Sequence, residues 1–433
     1  MQYLSTRNNS LEESFSTILF QGLSKDGGLF LPYTWPLIST KSLQGKNYQE
    51  VAHAVISPFV HEDISDEELN LIIKKTYQNF ITPNKIPSSN YKNIAPLVNI
   101  EKNKYILELF YGPTFAFKDY ALQFLGNLFS HILQNMNKKI TVLGATSGDT
   151  GSAAIDAFKG KDDIQVFILH PYQKVSEVQR RQMTTISEQN IHNIALKGTF
   201  DDCQQIVKQL FLDNELQSKT SLTAINSINW ARLIAQTVYY FWAYVQLNQE
   251  KVSFIVPSGN FGNIFSARVA KFMGLPIDRL HIVTNENDIL HRAISEGKMK
   301  IKAVKKTHSP SMDIQISSNF ERQLFESTNR DSDQVKIIMQ SFSEKGEQYL
   351  SDQITKNMQL VYSTYSVSNI LTLETINYFN TQYNYLADPH TATGLYVLNQ
   401  ISNNNPVISL ACAHPAKFGN AIFEAIKKQP SMP

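Results

Sequence analysis

Beyond about residue 96 the chain repeats one pattern. A short apolar run meets a glycine- or proline-containing loop, and a stretch of helical periodicity follows. Ile140-Thr-Val-Leu143 leads into Gly144–Gly151 and a helical Ser152–Phe158. Val166-Phe-Ile-Leu169 and Leu280-His-Ile-Val283 are further runs of the same kind. Ser253-Phe-Ile-Val256 precedes Ser258–Asn263 and a helical Ile264–Met273, and Val407–Ala411 precedes His414-Pro415 and Phe418–Ile426. Continuous apolar strands alternating with helices predict an α/β fold built on mainly parallel sheets. In such sheets ligands bind outside the carboxyl ends of the strands, where these loops fall.

The first ninety residues have a different rhythm and predict a mainly helical domain over 1–90. Apolar residues at Phe15, Ile18, Leu19 and Leu23 give residues 12–24 a helical period, which Lys25-Asp26-Gly27-Gly28 ends. Leu29–Pro32 is a short extended piece, and Leu69, Ile72, Ile73 and Phe80 mark a helix over 66–80. Residues 82–96 hold three prolines amid Asn and Ser and read as a linker. Two α/β subdomains are expected after it, over 91–220 and 221–433, with approximate boundaries and room to interleave. The polar region 300–365 is expected to be helical.

Composition removes several classes of function. Hydrophobic residues make up 42% of the 433, so a large core is available and disorder is excluded. Forty Lys and Arg against 38 Asp and Glu leave a formal charge of +2, which gives no electrostatic case for nucleic acid or an anionic membrane as partner. Two cysteines far apart, Cys203 and Cys412, build no disulfide framework, and no Cys/His spacing points to a metal. The N-terminus lacks the apolar core of a signal peptide, and no run of ~20 apolar residues appears. The expectation is a cytoplasmic protein; the oligomeric state is not legible.

Five segments could carry chemistry. Lys118, in Gly112-Pro-Thr-Phe-Ala-Phe-Lys118-Asp119, opens a helical pattern among apolar residues. The positive end of a helix dipole and desolvation both favour its free amine, which is what Schiff-base chemistry needs; a surface lysine at a helix end is the alternative. Gly144-Ala-Thr-Ser-Gly-Asp-Thr-Gly151 offers backbone amides and the hydroxyls of Thr146, Ser147 and Thr150 to a carboxylate or phosphate, or is an ordinary turn. Ser258-Gly-Asn-Phe-Gly-Asn263 suits close approach of an anion to backbone amides, or is an ordinary turn. Asn226-Ser-Ile-Asn-Trp-Ala-Arg232 is either a fork for phosphate or carboxylate, or a helix capped by Asn229 with a surface arginine. In Cys412-Ala-His-Pro-Ala-Lys417, His414 has acid–base chemistry, and His-Pro is equally a turn. No Gly-x-Ser-x-Gly elbow and no His-Glu-x-x-His zinc motif occurs.

In order along the chain, these five segments resemble the threonine synthase family of pyridoxal 5'-phosphate enzymes, which has the tryptophan-synthase-β fold type (fold type II). Tyr3-Leu-Ser-Thr-Arg7 and Gln21-Gly-Leu…Asp26-Gly-Gly-Leu-Phe30 resemble that family's own N-terminal domain, so the likeness covers nearly the whole chain. The resemblance implies that Lys118 carries the cofactor covalently and that Gly259, Asn260, Phe261, Gly262 and Asn263 cradle its phosphate. It implies that Asp149 lies near the cofactor's phenolic oxygen, where relatives of the fold often have Asn. It assigns Ser147, Gly148 and Thr150 to the substrate carboxylate, and Asn226, Ser227, Asn229 and Arg232 to the substrate phosphate. The substrate so implied is O-phospho-L-homoserine, and no metal is involved.

Two residues depart from the family: Asn8, after Arg7, where a Gly is common, and Cys412. Cys412 stands where a Thr typically meets the pyridine nitrogen, and a thiol is a weaker hydrogen-bonding group. Two other readings fit the same residues: a dehydratase or phospholyase of this fold, and a catalytically silent cofactor-binding protein.

Overall fold

The computed structural model describes residues 1–80, 94–224, 227–247 and 249–432. Most of the expected linker, and Asn226, lie outside the described residues. The apolar runs are strands of two sheets. Ile140–Ala145, Ile164–Pro171, Ile191–Leu196 and Leu222–Ala224 form a four-stranded parallel sheet. Lys104–Glu108, Val252–Pro257, Ile277–Thr284, Tyr362–Ser366 and Val407–Ala411 run parallel in a six-stranded sheet, with Leu97–Glu101 antiparallel at one edge. Val252–Pro257 is buried along its whole length, which its unbroken apolar run requires.

The sheets do not follow the expected division at residue 220. Leu97–Glu108 belongs to the large sheet with residues 252–411, and Leu222–Ala224 belongs to the small one. The chain enters the large sheet, leaves to build the small one, and returns. Helix Trp230–Leu247 is apolar on nearly every side and is buried accordingly. It packs against helices Tyr48–Val60, Lys118–Met136 and Gly262–Phe272, so one core joins both sheets to the N-terminal region. Residues 300–365 hold three helices, Phe320–Ser327, Ser332–Lys345 and Asp352–Gln359, together with short strands.

The N-terminal region is helical at Phe15–Gln21, Tyr48–Val60 and Asp66–Tyr77. It also carries a three-stranded antiparallel sheet of Tyr3–Ser5, Asn8–Glu13 and Phe30–Pro32. Asn8–Glu13 is a polar, largely exposed edge strand, which leaves no alternation to read. Helix Phe15–Gln21 stops at Gly22, in the left-handed half of the map at φ 65°, earlier than the periodicity through Leu23 implied.

The segments Tyr3–Arg7 and Asp26–Phe30 form one clamp. Ser5 donates to Asp26 Oδ1 at 2.8 Å, and the same oxygen takes the Gly28 amide at 2.7 Å. A Cβ on Gly28 would lie 2.2 Å from the Ser5 hydroxyl, so only glycine fits there. Arg7 grips buried Glu321 with two bonds of 2.9 and 2.8 Å, and the Thr6 hydroxyl adds a third at 2.6 Å. Glu321→Gln breaks the charged fork and leaves Arg7 half-paired. It should lower unfolding free energy by about 2–3 kcal/mol in urea denaturation. A change under ~0.5 kcal/mol would show that the clamp does not hold the N-terminal region.

Candidate active site

The segment 112–118 is zipped against residues 412–414. Phe117 N–H donates to Cys412 O at 2.8 Å, His414 N–H donates to Phe115 O at 3.0 Å, and Ala116 bridges Ala413. Asp119, fully buried, ties the turn from within by accepting from the Thr114 amide and hydroxyl at 2.9 and 2.6 Å. These bonds set Lys118, the first residue of helix Lys118–Met136, beside Cys412 at the end of strand Val407–Ala411. Burial lowers the pKa of the Lys118 amine, and the cations Arg232 and Lys417 add to the shift against the pull of Asp149.

The loop after Ile140–Ala145 is shaped by Thr146. Its hydroxyl accepts the amides of Gly148 and Gly151 at 3.0 and 2.8 Å. Gly148 therefore brings backbone shape, at φ 140°, rather than a free donor; a Cβ there would lie 2.4 Å from Gln179. The side chains of Ser147 and Thr150 bond no described residue. Asp149 takes Lys417 Nζ at 2.8 Å and Gln179 Nε2 at 2.9 Å, and Lys417 also donates to Thr114 O at 2.7 Å. Burial alone would raise the Asp149 carboxyl, but Lys417, Lys118 and His390 outweigh it and hold the group below the ordinary carboxylate range.

After strand Val252–Pro257, Phe261 turns left-handed at φ 61° and helix Gly262–Phe272 begins without a side-chain cap. The loop's carbonyls are held from outside: Ser317 donates to Gly259 O at 2.7 Å and Asn319 to Asn260 O at 3.1 Å. The amides of Gly259, Asn260, Phe261, Gly262 and Asn263 donate to no described residue. Tyr239 and Tyr240 both donate to Asn263 Oδ1, and Asn263 Nδ2 is buried without a partner. A row of free amides at an uncapped helix N-terminus is an anion site.

Arg232 is 3% exposed, and its Nε and Nη1 have no hydrogen-bond partner. No carboxylate pairs with it among the described residues, and burial lowers its pKa to about 10. Asn229 makes the contacts of the capping alternative. Its oxygen accepts the Ala231 amide at 3.0 Å, and its nitrogen donates to Leu19 O at 2.8 Å. His414 likewise caps a turn, with Nδ1 accepting the Ala416 amide at 3.2 Å. Cys412 is buried, which raises its thiol pKa, and Asp388 adds to the shift; the group stays a neutral thiol.

Sequence reasoning passed over Lys417, Gln179, Asn319 and the Asp388–Thr391 pair as site residues. Asp388 accepts from Thr391 Oγ1, and the same hydroxyl takes the Cys412 amide at 2.8 Å. Only the lysine lay inside a quoted motif. Pyridoxal phosphate fits what is present: a desolvated lysine, a row of free amides for its phosphate, and a buried thiol beside the lysine.

A family model described as Threonine synthase N terminus matches residues 2–77. One described as Pyridoxal-phosphate dependent enzyme matches 92–347, and one described as Threonine synthase, C-terminal matches 391–433. The Pseudomonas aeruginosa threonine synthase is 42% identical, over 100% of this chain and 92% of its own length. The Saccharomyces cerevisiae threonine synthase is 42% identical over 98% and 89%. The crystal structure of a pyridoxal-phosphate-bound threonine synthase from Brucella melitensis superposes with a TM-score of 0.95 at 43% identity, covering 100% of this chain and 93% of that one. A fungal L-serine ammonia-lyase, 12% identical with a TM-score of 0.53, shares the fold alone.

Asp149→Asn should strand the Lys417 ammonium in the interior and cost about 3 kcal/mol of stability at pH 7. Because the folded carboxyl titrates below its unfolded value, its contribution is full above the ordinary Asp pKa of ~3.9 and is lost as pH falls through the folded value. The gap between wild type and variant should therefore shrink on acidification. A gap constant from pH 7 to pH 2 would contradict the ion pair.

Proposed function

The chain belongs to the threonine synthase family of pyridoxal-phosphate-dependent lyases, and on that premise we propose that it converts O-phospho-L-homoserine and water to L-threonine and phosphate. The observation that carries the substrate is Arg232. A guanidinium buried without a counterion is costly, and a substrate phosphate supplies the missing charge. A dehydratase of the same fold, with no phosphate to hold, has no use for such a group. The unspent hydroxyls of Ser147 and Thr150 suit the substrate carboxylate, and Ser227 suits its phosphate beside Arg232.

Lys118 and the amides of Gly259–Asn263 would hold pyridoxal phosphate, whose chemistry there would be that of an electron sink for charge developing at the substrate's Cα and, by conjugation, Cβ. Lys118, whose amine is biased toward the neutral form, takes the Cα proton and then a Cβ proton. Arg232 holds the γ-phosphate and neutralises its charge as the Cγ–O bond breaks. Lys118 gives up the Cα proton before it takes the Cβ proton; protons returned to Cγ and to Cα, with the hydroxyl of a water added at Cβ, complete the product, and the water's remaining proton leaves with the phosphate. Asp149, paired with Lys417, presents a carboxylate whose charge is already balanced and which would stand near the cofactor's ring. The two cysteines are free and buried, which supports the cytoplasm as the setting.

Protein loaded with cofactor and given O-phospho-L-homoserine should release threonine and phosphate in equal amounts. Lys118→Ala should abolish both the borohydride-trappable cofactor and turnover. Arg232→Gln should keep the trapped cofactor and lower kcat/KM by about 100-fold or more. Phosphate released with 2-oxobutyrate would make the protein a phospholyase. No turnover with cofactor bound would sink the assignment of substrate. Cys412→Thr should tighten cofactor binding several-fold, read by absorbance titration; unchanged affinity and turnover would remove Cys412 from the ring contacts.

A further inference from the structure

The two turns read as phosphate sites have their backs against one side chain. Asn319 Nδ2 donates to Ser227 O and to Asn260 O, each at 3.1 Å, and the Asn319 N–H also reaches Asn260 O at 3.1 Å. Arg322 donates through Nη1 to Asn319 Oδ1, through Nη2 to Ile228 O at 2.7 Å, and through Nε to Phe30 O at 3.0 Å. Both side chains are fully buried. A peptide unit is planar and trans, so its carbonyl and the following N–H point in opposite directions. Pinning Asn260 O from behind therefore turns the Phe261 amide forward. Ser317, on Gly259 O, does the same for the Asn260 amide.

We propose that Asn319 and Arg322 are positioning residues that hold the substrate-phosphate turn at Ser227 and the cofactor-phosphate turn at Asn260 as one unit, anchored to the N-terminal sheet at Phe30. The proposal rests on the reading of Ser227 and Arg232 as the substrate-phosphate site. It gives the N-terminal region a part in binding: Arg7 and Thr6 fix Glu321, between Asn319 and Arg322 in the chain, and Phe30 fixes Arg322 itself. A side chain serving only the fold would have no reason to spend its donors on the backs of both anion turns.

The test is Asn319→Asp, which keeps the volume and the Arg322 contact but sets a carboxylate oxygen against two carbonyls. Two affinities are measured: pyridoxal phosphate for the apoprotein by absorbance titration, and inorganic phosphate for the cofactor-saturated protein by calorimetry. Both should weaken about tenfold or more, while Arg232→Gln weakens phosphate alone. If Asn319→Asp does not fold, Asn319→Ala and Arg322→Lys are read in the same way. Loss of one affinity only, or of neither in a folded variant, overturns the proposal and leaves the phosphate-site reading standing. Wild-type holoenzyme that binds no phosphate, with Arg232→Gln indistinguishable from it, overturns that reading and the proposal with it.

Discussion

A guanidinium with no carboxylate partner among the described residues, buried within electrostatic reach of a desolvated lysine, organises this molecule. Arg232 lies on a helix that is apolar almost all round, so the fold cannot turn it toward water without exposing its own core. Arg322 is also buried without a carboxylate, but oxygens of Phe30, Asn319 and Ile228 take its donors; the Nε and Nη1 of Arg232 have no such partner, which suits them to an anion. The same logic recurs at the 259–263 loop, where five amides at an uncapped helix end meet no acceptor among the described residues. Lys417 is the counter-example: its charge is met internally by Asp149. Unmet charge marks where ligands go, and met charge marks what holds the site in shape.

The site is assembled from chain segments far apart, and hydrogen bonds to backbone carbonyls fasten them. Residues 112–118 are stitched to 412–414, and Lys417 bridges Thr114 and Asp149. Asn319 and Arg322 bridge Phe30, Ile228, Ser227 and Asn260. Carbonyls held from behind are the shared device. They leave the following amides free of protein acceptors among the described residues.

What could be read from the sequence was local. Lys118 at a helix start, the loops at 144–151 and 258–263, and the strands before them are contiguous, and their chemistry is written in neighbouring residues. Family likeness then joined them into one site. The polar region 300–365 was opaque because Asn319 and Arg322 acquire meaning only through partners 59 to 292 residues away. Asn229 was ambiguous for the opposite reason: capping and phosphate binding use the same amide, and only its contacts to Leu19 and Ala231 decide between them. Gly148 offers backbone shape rather than a free amide, since Thr146 takes its N–H, and that contact is not written in the neighbouring residues. The interleaving of the sheets depends on strand pairing, to which a single sequence gives no access.

The central claim is that the unpaired Arg232 charge selects a phosphate ester. The most direct measurement is the ratio of kcat/KM for O-phospho-L-homoserine to that for the uncharged leaving-group analogue O-acetyl-L-homoserine, in wild type and in Arg232→Gln. The account predicts a strong preference for the phosphate ester in the wild type that falls by about two orders of magnitude in the variant. A ratio unchanged by the substitution would contradict it and would place phosphate recognition elsewhere in the cleft.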